Sequence, residues 1–144
     1  MRLKQQYDGD KMLNMGTYQP VFNDVLGISI EPQTIYRSTG LLAHMVKRKH
    51  FKCLRYIDFI PDIIANPDYI GINPNEKSGE SIEFIKRYGV NVLVGVKLDS
   101  KNNYLYVSTV HDIQESKLKR RLHSGRIQAY SNNGNDVSES EVPM

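Results

Sequence analysis

The chain has 144 residues, 40% of them apolar, with 19 Lys and Arg against 16 Asp and Glu and a formal net charge of +3. This length suits one domain that buries its own core without cross-links, and a lone cysteine, Cys53, excludes an internal disulfide and a multi-cysteine zinc site. No apolar run reaches membrane-spanning length and the N-terminal residues lack the apolar core of a signal peptide, so the expectation is a soluble, cytoplasmic chain with no membrane partner.

Residues 1–32 are broken by Gly9, Gly16, Pro20, Gly27 and Pro32 and read as a partly ordered lead-in. Within them, Pro20 to Leu26 can form a short helix, with proline at its first position and Gly27 closing it. The compact domain is expected over residues 33–128, followed by a polar, acidic tail over 129–144 that composition predicts to be disordered. Thr34 to Arg37 reads as a strand, and Ser38 or Thr39 can cap a helix running from Gly40 to about Lys49. On a 3.6-residue period, Leu41, Leu42, Met45 and Val46 make its apolar stripe, with His44 and Arg48 one turn apart on a flank. A second helix is predicted from Tyr56 to Ala65, burying Ile57, Ile60, Ile63 and Ile64, with Pro61 near its start or at a kink.

Strands are predicted at Tyr69–Ile72, at Ser81–Tyr88 and at Val92–Leu98, the last apolar enough to be covered on both faces. Tyr104–Val110 should pair with it as an antiparallel hairpin. A final helix from Gln114 to His123 stops at Gly125. The order predicts an α+β fold, a small antiparallel sheet packed against N-terminal helices.

Charge is unevenly spread. Eleven of the nineteen cations fall in two acid-free windows, one from Glu31 to Asp58 and one from Glu115 to Asp136. The first carries His44, Lys47, Arg48, Lys49 and His50 within seven residues. Imidazole exchanges protons near neutral pH and clustered cations attract phosphate, a combination that points to phosphodiester chemistry on nucleic acid. The plainer readings are solvated helix faces, a structural His44 and a His50 that complements a helix C-terminus. His111 and His123 read as surface residues. The Asp99–Asn103 stretch has the wrong spacing for a calcium loop and reads as a turn, and no metal or cofactor site is indicated.

From Ile35 to Arg126 the chain resembles the phage barnase-EndoU-colicin-RelE-like nuclease family. The resemblance rests on Ile35-Tyr36-Arg37-Ser38 before Gly40-Leu41-Leu42, on His44 with Lys47 to His50, on Pro61 to Gly71, on Ser81-Ile82-Glu83, on Tyr104 to Thr109, and on Glu115-Ser116-Lys117 through Ser124-Gly125-Arg126. It implies the α+β nuclease scaffold of that family and metal-independent cleavage of RNA, with tRNA among the targets, by a toxin or phage-associated effector that an immunity or antitoxin protein could restrain. Such chemistry needs a base for the 2′-hydroxyl, an acid for the leaving 5′-oxygen and cations for the transition-state phosphorus. His44, Arg48 and His50 are the candidates on the early helix. On the hairpin strand, alternation puts Tyr106 and Ser108 on one face and Leu105, Val107 and Thr109 on the other. The pattern alone favours Tyr106 with Ser108, whereas the resemblance draws attention to Thr109, which a bulge could turn. Lys47, Lys117, Arg120, Arg121 and Arg126 are the candidate backbone clamp for RNA, and a catalytically inactive RNA- or protein-binding module of a phage or mobile-element protein is the alternative function.

Overall fold

The computed structural model describes residues 11–41, 43, 45, 51–75 and 81–130. Among these, seven strands form one sheet: β1 (Met12–Tyr18), β2 (Gln33–Ser38), β3 (Tyr69–Ile72), β4 (Ser81–Arg87), β5 (Asn91–Asp99), β6 (Tyr104–Ile113) and β7 (Ile127–Ala129). Their spatial order is β1-β2-β6-β5-β4-β3-β7, and every neighbouring pair is antiparallel except β2 with β6, which is parallel. The helices are α1 (Pro20–Leu26), α2 (Ile60–Ala65) and α3 (Glu115–Ser124), with a 3-10 segment over Phe51–Phe59 leading into α2. Leu41, Ala43 and Met45 are also helical, with Leu41 and Met45 buried as the apolar stripe requires. The fold is therefore α+β, with a wider sheet than the small antiparallel one expected and with helices on both of its faces.

The first face carries the main core. Val92, Val94 and Val96 of β5 meet Ile35, Phe84, Leu105, Val107 and Val110 from neighbouring strands, and Phe22 of α1 with Ile60, Ile63 and Ile64 pack over them. On the second face Ile85, Leu93, Ile113 and Ile127 receive Leu118 of α3. Val94 and Leu93 thus feed opposite cores from adjacent positions, as expected for a strand covered on both sides. Asn91 and Arg87 fix the start of α3 by donating to Glu115, and these hydrogen bonds, that from Asn91 foremost, hold the Glu115 carboxyl below the usual carboxylate range.

Three differences from the sequence reading have physical causes. Residues 11–32, expected as part of a partly ordered lead-in, supply β1, α1 and the buried Tyr18, Phe22 and Ile30. A bulge between Asn14 and Gly16, with Gly16 at φ 138°, shifts the alternation of β1 and hides its strand pattern. Asn23 then pins the return: it accepts from the Tyr18 hydroxyl at 2.8 Å and from Ile30 N–H at 3.1 Å, and donates to Ile30 C=O at 2.8 Å. The predicted helix over Tyr56–Ala65 is 3-10 up to Phe59 and α only from Ile60, because Pro61 has no N–H to give the Ile57 carbonyl and its ring crowds that group. Its four isoleucines are nonetheless all buried. The third difference is β7, three residues long and below the length at which alternation can be read, with the buried Tyr130 after it. The tail from residue 131 lies outside the described residues, and among those described no helix is long and apolar enough to cross a membrane.

Phe22 is fully buried, with the rings of Tyr18, Phe84 and Tyr130 each 5.3 Å away in edge-on contact. Phe22→Ala should cost about 3–5 kcal/mol in urea unfolding; a loss below about 1 kcal/mol would show that α1 is not seated on the sheet.

Candidate active site

Strand register sets the site. Thr109 pairs with Gly95, Gly95 with Glu83, Glu83 with Gly71 and Gly71 with Ile127, which makes one row across β6, β5, β4, β3 and β7. Paired residues point to the same side of an antiparallel sheet. Glu83 therefore stands on the second face with a glycine on each flank, in a notch where the neighbouring strands contribute no side chain.

Each glycine holds a specific approach open. A Cβ on Gly71 would lie 2.1 Å from the Arg126 carbonyl oxygen and 2.9 Å from Ile127 Cα, so β7 can close on β3 only because that atom is missing. A Cβ on Gly95 would lie 2.7 Å from Thr109 Cγ2 and 3.5 Å from Ser108 Oγ. At this point β6 bulges: Val96 pairs with Val107 and Gly95 with Thr109, leaving Ser108 as the extra residue, its hydroxyl donating to Gly95 C=O at 3.2 Å. The bulge reverses the expected alternation beyond it. Val107 and Val110 both enter the first core, while Tyr106, Thr109 and His111 share the second face. Tyr106 and Thr109, which strict alternation separates, are brought together.

The carboxylate in the notch is buried, its side chain 7% exposed, and is matched by two guanidiniums. Arg126 binds it through both arms, Nε to Oε1 at 3.0 Å and one Nη to Oε2 at 2.8 Å. Arg121 in the last turn of α3 brings Nη1 to 3.5 Å from Oε2, close enough for ion pairing but not for a hydrogen bond, and this buried Nη1 donates to no acceptor among the described residues. Burial above all, with Arg126 and Arg120 nearby, pushes the Arg121 guanidinium below its ordinary value, and Glu83 opposes that shift. One carboxylate thus answers two cations, and the surplus positive charge favours an anion. Gly125 at φ 84° ends α3 and turns the chain so that Arg121 and Arg126 meet on the same carboxylate.

Beyond the notch lies an open groove of about 1140 Å³ between α3 and the β3–β7 edge, lined by Lys117, Lys119, Arg120, Arg121, His123 and Arg126 together with Gly71 and Pro74. Four of the five residues expected to clamp RNA, Lys117, Arg120, Arg121 and Arg126, therefore line one groove, and the fifth, Lys47, lies outside the described residues with His44, Arg48 and His50. Sequence reasoning missed Glu83 as a site residue and set His111 aside as a surface residue, although it stands two residues beyond Thr109 on the same face. The usable signal was an acid between Ile82 and Phe84 in an apolar strand, with isolated glycines in both adjacent strands marking close backbone approach. Among the described residues no three His, Cys, Asp or Glu side chains gather as metal ligands.

The sequence profile of the family described as phage-Barnase-EndoU-ColicinE5/D-RelE like nuclease3 matches residues 15–120, a span that includes Glu83, Gly95, Tyr106 and Thr109 and ends just before Arg121. Among curated proteins and among solved structures nothing matches the chain. The α+β architecture is compatible with that family's nuclease scaffold.

Gly71→Ala should force β7 and Arg126 off the sheet. Its expected cost is about 1–3 kcal/mol in urea unfolding, with weaker retention of inorganic phosphate; unchanged stability would contradict the close approach.

Proposed function

Because the chain belongs to the phage-Barnase-EndoU-ColicinE5/D-RelE like nuclease3 family, a family of nucleases, we propose that it is an endoribonuclease that cleaves RNA by attack of the 2′-hydroxyl on the adjacent phosphate. The observation that carries this reading is the Glu83 carboxylate held between Arg121 and Arg126 at the mouth of a basic groove. An arriving phosphate takes guanidinium donors from Glu83. The carboxylate, relieved of that pairing, accepts the 2′-hydroxyl proton while the guanidiniums hold the charge growing on the phosphorane oxygens. Thr109 supplies a hydroxyl on the same row, and an imidazole, His44 or His111, protonates the leaving 5′-oxygen. None of these roles needs a metal, so cleavage is expected to persist in chelator. Lys47, Lys117 and Arg120 track the backbone, Arg48 and His50, near His44 in sequence, are further candidates for phosphate and proton handling, and tRNA is a fitting substrate. A toxin or phage-associated effector acting in the cytosol, restrained by an immunity or antitoxin protein, is the setting this activity suits.

A second reading has its own support. Both oxygens of Glu83 are already occupied by Arg126, as in an ion pair whose role is only to hold β7 on the sheet, and the same surface would then bind RNA or a protein without turnover. Incubation with total RNA in EDTA separates the two. The nuclease leaves fragments ending in 2′,3′-cyclic phosphate, and Glu83→Gln should lower the rate by ~10²–10⁴ and Arg126→Ala by ~10²–10³, both checked for folding by circular dichroism. Intact RNA, or a Glu83→Gln variant as fast as wild type, would refute the assignment.

Binding should weaken with salt by a log-log slope of roughly −0.7 per phosphate contacted on a single strand, and Lys117→Ala with Arg120→Ala should flatten that slope by about 1.4. A slope already near zero would remove the groove from the substrate path.

A further inference from the structure

We infer that a second row on the same face is a stacking subsite for an unpaired nucleobase, an inference that rests on the nuclease reading and fixes its substrate class as single-stranded RNA. The register aligns Asn14 with Tyr36, Tyr36 with Tyr106, Tyr106 with Lys97 and Lys97 with Ser81, a row crossing β1, β2, β6, β5 and β4. This row lies one pleat, ~7 Å, from the row that holds Glu83 and Thr109.

Its composition differs from the apolar positions around it. Tyr36 and Tyr106 are half-buried on adjacent strands, and Tyr106 is buttressed from the hairpin end by the buried Tyr104, with ring centroids 5.7 Å apart and planes at 41°. The apolar cluster under α3, made of Ile85, Leu93, Ile113, Leu118 and Ile127, does not reach them. The parallel pairing of β2 with β6 creates this neighbourhood, since it joins two tyrosines 70 positions apart in sequence at one point of the sheet. Lys97 at the edge of the pair suits the phosphate of the same nucleotide, and exposed Asn14 at the other edge suits the rim of a base.

The chemistry follows from the spacing. Aromatic faces accept any base through stacking, and a base can reach them only when it is neither paired nor covered by its neighbours. With its scissile phosphate at Arg121 and Arg126, a single strand running across the sheet can lay a base one or two nucleotides further along on Tyr106 and Tyr36, which lie two and three strands from Glu83, ~10 and ~14 Å across the sheet, and one pleat along it. A duplex keeps that base inside its own stack and cannot occupy both rows.

The test uses a short oligonucleotide, 2′-O-methylated so that it cannot be cut and carrying 2-aminopurine, with its duplex as comparison. Wild type should quench the single strand's fluorescence and bind it at least tenfold more tightly than the duplex. Tyr36→Leu and Tyr106→Leu, which keep apolar bulk but remove the aromatic face, should each weaken single-strand binding by about 5- to 150-fold and relieve the quenching. Tyr36→Phe and Tyr106→Phe should retain both within about twofold, and these variants decide the matter if a leucine variant fails to fold, since loss of quenching in the phenylalanine variants would overturn stacking. Equal affinity for duplex, absence of quenching by wild type, or folded leucine variants that bind normally would also overturn the subsite. Cleavage without quenching defeats this inference and leaves the nuclease reading standing; quenching without cleavage does the reverse.

Discussion

A carboxylate placed inside a sheet is unfavourable by several kcal/mol unless countercharges reach it, and Glu83 makes that demand on the whole C-terminal third of the fold. The countercharge comes from Arg126, which arrives only if β7 lies against β3, and β7 lies there only because Gly71 has no Cβ. Arg121 comes from the last turn of α3, whose end is fixed by the left-handed Gly125 and whose start is tied to the sheet through Asn91 and Arg87. The ion pair, the short edge strand and the final helix are thus one interdependent arrangement.

The same arrangement sets the electrostatic character of the second face. Two guanidiniums on one carboxylate leave positive charge unanswered where the basic groove opens, so the sheet face and the helix flank attract the same kind of ligand. Across the notch, the bulge at Ser108 turns Thr109 toward Glu83's side while Val107 and Val110 stay in the main core. Without the extra residue, either the valines or the threonine would face the wrong way. A β-bulge here reconciles a packed first face with a polar second face, a use of such irregularities that recurs beside active sites.

Much of this was legible in the sequence wherever a signal was local. The apolar run of β5, the isoleucine spacing of α2, the proline and glycine bounds of α1 and the αL glycine after α3 all appear in the fold at or near their expected places. The acid-free window from Lys117 to Arg126 likewise marked residues that line one groove. What stayed hidden depends on long-range pairing. No local pattern shows that Gly71 and Gly95 flank Glu83, because those three residues belong to three different strands. Nor could periodicity find β1, whose bulge breaks its alternation, or β7, which is too short to have one. His44, Arg48 and His50 lie outside the described residues, and among those described the groups that suit a phosphate are Arg121 and Arg126 beside Glu83.

The most direct measurement is NMR of the arginine side-chain Nε–H resonances during titration with inorganic phosphate, in wild type and in Glu83→Gln. In the free protein Arg126 Nε–H should be shifted downfield and slow to exchange, because it donates to the buried carboxylate at 3.0 Å. Phosphate should then move the Arg126 and Arg121 signals together, and Glu83→Gln should abolish the initial downfield shift. Arginine signals that ignore phosphate, or an Arg126 that exchanges as freely in wild type as in the variant, would contradict the account.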